Sequence, residues 1–222
     1  AAQRILALYH LAQRDLQAAL LGVSPELATQ PPAPGEWSVQ QAVSHMTQAT
    51  IGFYAVVRHT LNSRRSGAQQ SEEMTDETWD AAVGASDAEL MAQLGAEFTE
   101  LVAFAAQWHD RVLTEFADMT EEELAWPSRY WEGYDLPLRF RLHRFDAHLR
   151  QHTIQVDKTL LALGHAPTEA RRLLRLIYAA LAEVEGALIG AAGVGDELLR
   201  HAAASIAARS EEIAVILKPS GD

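Results

Sequence analysis

The sequence predicts an all-α protein, and three observations carry that prediction. Apolar residues recur at helical spacing in six segments of the 222-residue chain, and no segment alternates convincingly with a period of two. Proline and glycine clusters fall between the periodic segments, where helices are expected to stop. Hydrophobic residues make up 48% of the chain, enough to fill a sizeable core.

The first helix is expected from Gln3 to Gly22, with Ile5, Tyr9, Ala12, Leu16 and Leu20 on one face. Pro25, Pro31, Pro32, Pro34 and Gly35 exclude a continued helix before Trp37. Ser38 then caps a second helix, with Gln41 at the capping-box position, running to about Leu61. Residues 62–80 are polar and weakly periodic, which predicts a long surface loop. A third helix opens at Ser86-Asp87 and runs without a break through Leu90, Leu94, Phe98, Leu101, Ala105, Trp108 and Val112 to Phe116.

Thr120 with Glu121, Glu122 and Glu123 caps one short helix that ends at Trp126-Pro127. An aromatic connector with Tyr130, Trp131 and Tyr134 follows. The fourth long helix starts after Pro137, carries Leu142, Phe145, Leu149, His152 and Val156, and stops at Gly164. Beyond it, Pro167-Thr168 opens a fifth helix with Leu174, Ile177, Leu181, Val184 and Leu188, which the run from Gly190 to Gly195 breaks. A sixth, from Asp196 to about Leu217, carries Leu199, Ala202, Ile206, Ile213 and Leu217. One domain with a C-terminal extension is therefore expected: a bundle over 1–164, and an αα-hairpin over 165–222 that packs on the bundle or on a partner subunit.

Composition narrows the function. The formal charge of −12 argues against nucleic acid as a partner, because phosphate contacts need basic residues. No stretch of 18 or more apolar residues occurs, and the start carries no signal-type segment, so no membrane partner and a cytoplasmic location are expected. The absence of cysteine removes disulfides, Cys-ligated zinc and a cysteine nucleophile; any thiol chemistry must use a borrowed thiol.

His148 and His152 have the i, i+4 spacing that puts two imidazoles on one side of a helix, a geometry able to chelate one ion. His45 falls next to the core stripe of the second helix, through Ala42, Met46, Ala49 and Phe53. Any one of them reads by default as an ordinary core histidine. Three partly desolvated imidazoles without an ion would each need another partner, whereas zinc or nickel accepts three and keeps an open position. His109 and His143 lack a helical partner at chelating spacing, and with His10, His59, His165 and His201 they read as structural or surface residues. Trp79, Trp126, Trp131 and Tyr134 either wall a pocket or plug the bundle end. Among Arg139, Arg141, Arg144 and Arg150, which could hold an anionic substrate, only one helix face can look inward. Asp146 and Asp157 are candidates to accept an imidazole N–H, with helical phase favouring neither.

Gly35-Glu36-Trp37-Ser38-Val39, with His45 eight residues after Trp37 and the later His148/His152 pair, resembles the DinB superfamily, which includes YfiT-like metalloenzymes. The resemblance covers residues 3–164 and implies an up-down-down-up four-helix bundle, with residues 62–80 in its crossover. It puts His45, His148 and His152 on the three metal-ligand positions. Some relatives carry Glu at the first position of the pair; the histidine here implies an all-imidazole site completed by water. The resemblance also implies one divalent ion, a small-molecule substrate and a homodimer. Among activities it implies first S-transfer from a low-molecular-weight bacterial thiol such as bacillithiol or mycothiol. Metal-dependent hydrolysis and a non-enzymatic stress-related metal-binding or assembly role stand beside it.

Overall fold

The computed structural model of the protein describes residues 1–68, 74–130, 132–191 and 196–216. Within it Ala1–Gly190 forms one compact unit and Ala191–Asp222 another. The fold is all-α apart from one small hairpin, and its centre is a four-helix bundle of α1 (Ala2–Leu20), α3 (Val39–Arg65), α6 (Phe98–Phe116) and α8 (Leu138–Ala162). α1 packs on α8 and α6, while α3 packs on α8 and α6, closing a ring around the core. Tyr9, Met46, Tyr54, Leu101, Phe116, Leu142 and Phe145 fill it, all from the apolar stripes of these four helices.

Local signals set most helix starts. At Ser38 both halves of the capping box form: Ser38 Oγ accepts from Gln41 N at 3.2 Å, and Gln41 Oε1 accepts from Ser38 N at 2.9 Å. Thr120 and Glu123 repeat the device at α7 (Glu121–Leu124). After α8, Gly164 takes a φ of +79° that a side chain would strain, and His165 N donates back to the Leu160 carbonyl at 2.8 Å.

The structure corrects four expectations. Pro25 does not exclude helix: it sits at the first position of α2 (Pro25–Ala28), where its missing N–H costs nothing, behind a Ser24 cap. The second helix continues four residues past Leu61, to Arg65, and α4 (Asp76–Val83) begins within the expected loop. The third helix is two, α5 (Asp87–Leu94) and α6, with a break at residues 95–97. Side chains of α3 capture the break, since Ser44 Oγ donates to the Leu94 carbonyl at 2.9 Å and Gln40 Nε2 to the Ala96 carbonyl at 3.0 Å. Lastly, the aromatic connector contains an antiparallel hairpin, β1 (Pro127–Arg129) with β2 (Asp135–Pro137), in the register Ser128↔Leu136.

That hairpin is tied to α8 through Arg141, whose side chain is fully buried. Its Nε donates to Ser128 Oγ at 3.1 Å, and its two terminal nitrogens bond Glu132 at 2.5 and 3.0 Å. A buried cation requires such a complete set of acceptors.

α9 (Glu169–Leu188) packs along α1, close enough that a Cβ added at Gly186 would lie 3.1 Å from Ala7 Cβ. Arg175 bridges Asp15 of α1, at 2.5 and 2.9 Å, and Asp157 of α8, at 2.9 Å. Arg14 grips Glu185 in a two-pronged pair at 2.6 and 2.8 Å, and His10 Nε2 reaches the same carboxylate at 2.8 Å. The other ring nitrogen of His10 lies 2.9 Å from Nε2 of His109. In the second unit, α10 (Asp196–Ile216) has Ile206 exposed. The side chains of Leu199, Ala202 and Ile213, and all of Leu217, lie outside the described residues.

Candidate metal centre

α3 and α8 lie against each other, and their facing positions bring His45, His148 and His152 together. Each imidazole offers a nitrogen, and the three nitrogens lie within 4.8 Å of one another. Nitrogens placed tetrahedrally around zinc at 2.0–2.1 Å would be roughly 3.4 Å apart, so small side-chain rotations close the site. No other group of three or more His, Asp or Glu among the described residues has metal-binding geometry. His148 and His152 are buried and His45 is half-buried.

The hydrogen bonding suits a ligand role. His152 Nδ1 lies 2.7 Å from Gln155 Oε1, an acceptor, so it carries the proton and leaves the Nε2 lone pair available. His45 and His148 make no hydrogen bond among the described residues. Burial pushes the His148 imidazolium down to about 4, helped by His152, His45 and Arg144, and burial followed by His152 lowers that of His45. Both rings are therefore neutral near pH 7, the form that ligates.

Aromatic rings wall the cluster. Trp37 lies 4.9 Å from the His45 ring and stacks on His152 at 6.1 Å, while Phe53 meets His148 edge-on at 5.8 Å. Two depressions adjoin it. The larger, about 920 Å³, is an open polar groove that touches His45 alone of the three. The smaller, about 420 Å³, is bounded by both His45 and His148, with Phe53, Trp79, Tyr130 and Arg144 on its walls. Two of the three imidazoles open onto the smaller one.

The remaining sequence candidates disperse. Arg139 pairs with Glu121, Arg150 lies 3.6 Å from Asp146, and Arg141 is committed to Glu132; only Arg144 reaches the cavity. Asp157 pairs with Arg175, and Asp146 with Arg150 and His143, so neither serves an imidazole of the cluster. Trp79 is a pocket wall, Trp126 lies under Arg64, Tyr134 is exposed, and Trp131 lies outside the described residues. Gln155 and Tyr130 were missed as site residues. The i, i+3 spacing from His152 was a usable signal for Gln155, whereas nothing local marks Tyr130.

A family model described as the DinB superfamily matches residues 8–156. A solved structure described as "YfiT from Bacillus subtilis is a probable metal-dependent hydrolase with an unusual four-helix bundle topology" aligns with a TM-score of 0.48 at 13% identity, covering 73% of this chain and 87% of that one. No curated protein matches the chain. Among the described residues, no helix is long and apolar enough to cross a membrane.

Proposed function

The chain belongs to the DinB superfamily, and from that premise we propose that it is a divalent-metal-dependent enzyme whose ion is held by His45, His148 and His152. The observation that carries this reading is the convergence of three imidazoles beside a small cavity, with His152 oriented by Gln155. Neutral nitrogen donors suit zinc or nickel. Three protein ligands leave a coordination position for a small molecule. When bound, the ion supplies Lewis acidity, lowering the pKa of a thiol or water at that position.

The activity we assign first is S-transfer from a low-molecular-weight thiol, such as bacillithiol or mycothiol, to an electrophile. The chain has no cysteine of its own, so the attacking sulfur is brought in. His45 and His148 stand at the boundary between cluster and cavity, an arrangement that suits an electrophile in the cavity beside an incoming sulfur. Sulfur bonds to the electrophilic carbon, the thiol proton passes to solvent, and the leaving group departs with its electron pair. One observation favours hydrolysis as the second reading: the Asp87 carboxylate lines the same cavity, where it could take a proton from an attacking water.

Metal analysis of the wild type and of His45→Ala, His148→Ala and His152→Ala tests the ion, with about one ion per chain expected for the wild type alone. Undiminished metal in all three variants would overturn the site. Turnover of a reporter electrophile with several bacterial thiols, set against ester hydrolysis by wild type and Asp87→Asn, separates the activities. Thiol-dependent turnover that needs the loaded ion supports the first; hydrolysis lost in Asp87→Asn supports the second. No metal-dependent turnover of either kind would overturn the assignment as an enzyme.

A further inference from the structure

The smaller cavity has a chemical character of its own. Its floor is the Phe53 ring, and the Arg144 guanidinium lies over that ring with 5.4 Å from its central carbon to the ring centroid. Held over a ring face, a guanidinium keeps N–H groups available for a planar anion. Arg144 forms no hydrogen bond or ion pair with any described residue. Glu132, the nearby acid that senses its charge, is already held by both terminal nitrogens of Arg141. Asp87, the one carboxylate among the described residues of the cavity wall, makes no ion pair with Arg144. A half-buried cation facing an apolar space without an acid of its own suits an anion brought in by a ligand.

Two further aromatic rings line the cavity. Trp79 and Tyr130 stack with 6.3 Å between centroids and 12° between planes. Tyr130 comes this close to α3 because position 52 is glycine: a Cβ there would meet the Tyr130 hydroxyl at 3.0 Å. Leu90 and Met91 of α5 close the space, and about 420 Å³ lies at the low end for small-molecule sites.

We propose that this cavity selects a small carboxylate on a flat apolar body, with the carboxylate on Arg144 and the body against the aromatic lining of Phe53, Trp79 and Tyr130. The inference rests on the reading of this cavity as the substrate space of the metal centre, and it makes Arg144 the residue that determines specificity. A bidentate guanidinium–carboxylate pair inside such a space is worth about ten-fold or more in affinity over the neutral amide of the same shape.

The test compares trans-cinnamate with cinnamamide by calorimetric titration into wild type, Arg144→Gln and Arg144→Lys. Chelator-treated protein is used first, so that no carboxylate–metal bond contributes, and zinc-loaded protein second. The expected result is about ten-fold tighter binding of the acid by metal-free wild type, no preference in Arg144→Gln, and a partial preference in Arg144→Lys. Circular dichroism and zinc content are measured on the same samples and should match wild type in both variants. Equal affinity for acid and amide, no binding of the acid, or an undiminished preference in well-folded Arg144→Gln would overturn the inference. Protein that takes up no zinc on loading yet prefers the acid would uphold it while removing the metal reading, and protein that takes up zinc without showing the preference would do the reverse.

Discussion

His109 should make the protein acid-sensitive, and the structure sets the size of the effect. The ring is 3% exposed, and burial, followed by the charges of His10 and Arg14, pushes its imidazolium down to about 3. In the unfolded chain an imidazole titrates near 6.5. Between those values the unfolded state binds a proton that the folded state refuses, so stability is fully present above the ordinary imidazole range and is lost as pH falls. At 1.36 kcal/mol per pH unit for one proton, the step from pH 6 to pH 4.5 removes about 2 kcal/mol, or roughly 4–8 °C in Tm for a chain of this length. His109→Gln keeps either a donor or an acceptor facing His10 but cannot titrate, whereas His109→Leu leaves His10 Nδ1 without its partner. Thermal unfolding in chelator from pH 7.5 to 4.5 should show a shallower acid loss in His109→Gln by about that amount. His109→Leu should lose about 1–3 kcal/mol already at pH 7.5. An acid slope in His109→Gln equal to that of wild type would refute the reasoning, because His148, also pushed down, is common to both proteins.

Glu132→Ala should cost about 3–5 kcal/mol in urea unfolding, since it strands the fully buried Arg141 cation; a loss under 1 kcal/mol would mean that water reaches the guanidinium. Gln155→Ala should weaken zinc affinity about 10- to 100-fold in competition with a chromophoric chelator while leaving the fold intact, and unchanged affinity would show that the Nδ1 bond does not orient His152. Gly186→Leu should push α9 off α1 at a cost of about 1–3 kcal/mol, read as a lower Tm; an unchanged melting curve would mean that this helix contributes nothing to the stability of the bundle.

The features legible in the sequence are those with a local cause. Ser38 and Gln41 announce the start of α3 because the cap involves only residues three apart, and His148 and His152 share a face because the helical period demands it. The start of α2 also has a local signal, since Ser24 before Pro25 marks a helix start as readily as a stop. The break at residues 95–97 was not legible, since the apolar stripe runs through it and the groups that capture its carbonyls, on Gln40 and Ser44, lie some fifty residues earlier. Strands of three residues are too short to show a period, and the β1–β2 pair depends on Arg141 of another element. Tyr130 reaches the cavity only through that hairpin, so its place in the site followed from no local rule.

The way α5 is fastened bears on how the site could change. Its end is held through the main-chain carbonyls of Leu94 and Ala96, which accept from Ser44 and Gln40, and by the buried Leu90 and Leu94; Asp87 and Met91, which also look onto the cavity, carry none of that attachment. Main-chain recognition is blind to side chains. Positions 87 and 91 are thus open to drift at little expense to folding, and a shuffled or inherited variant of this segment can recast which molecules are admitted while the histidines on α3 and α8 stay as they are.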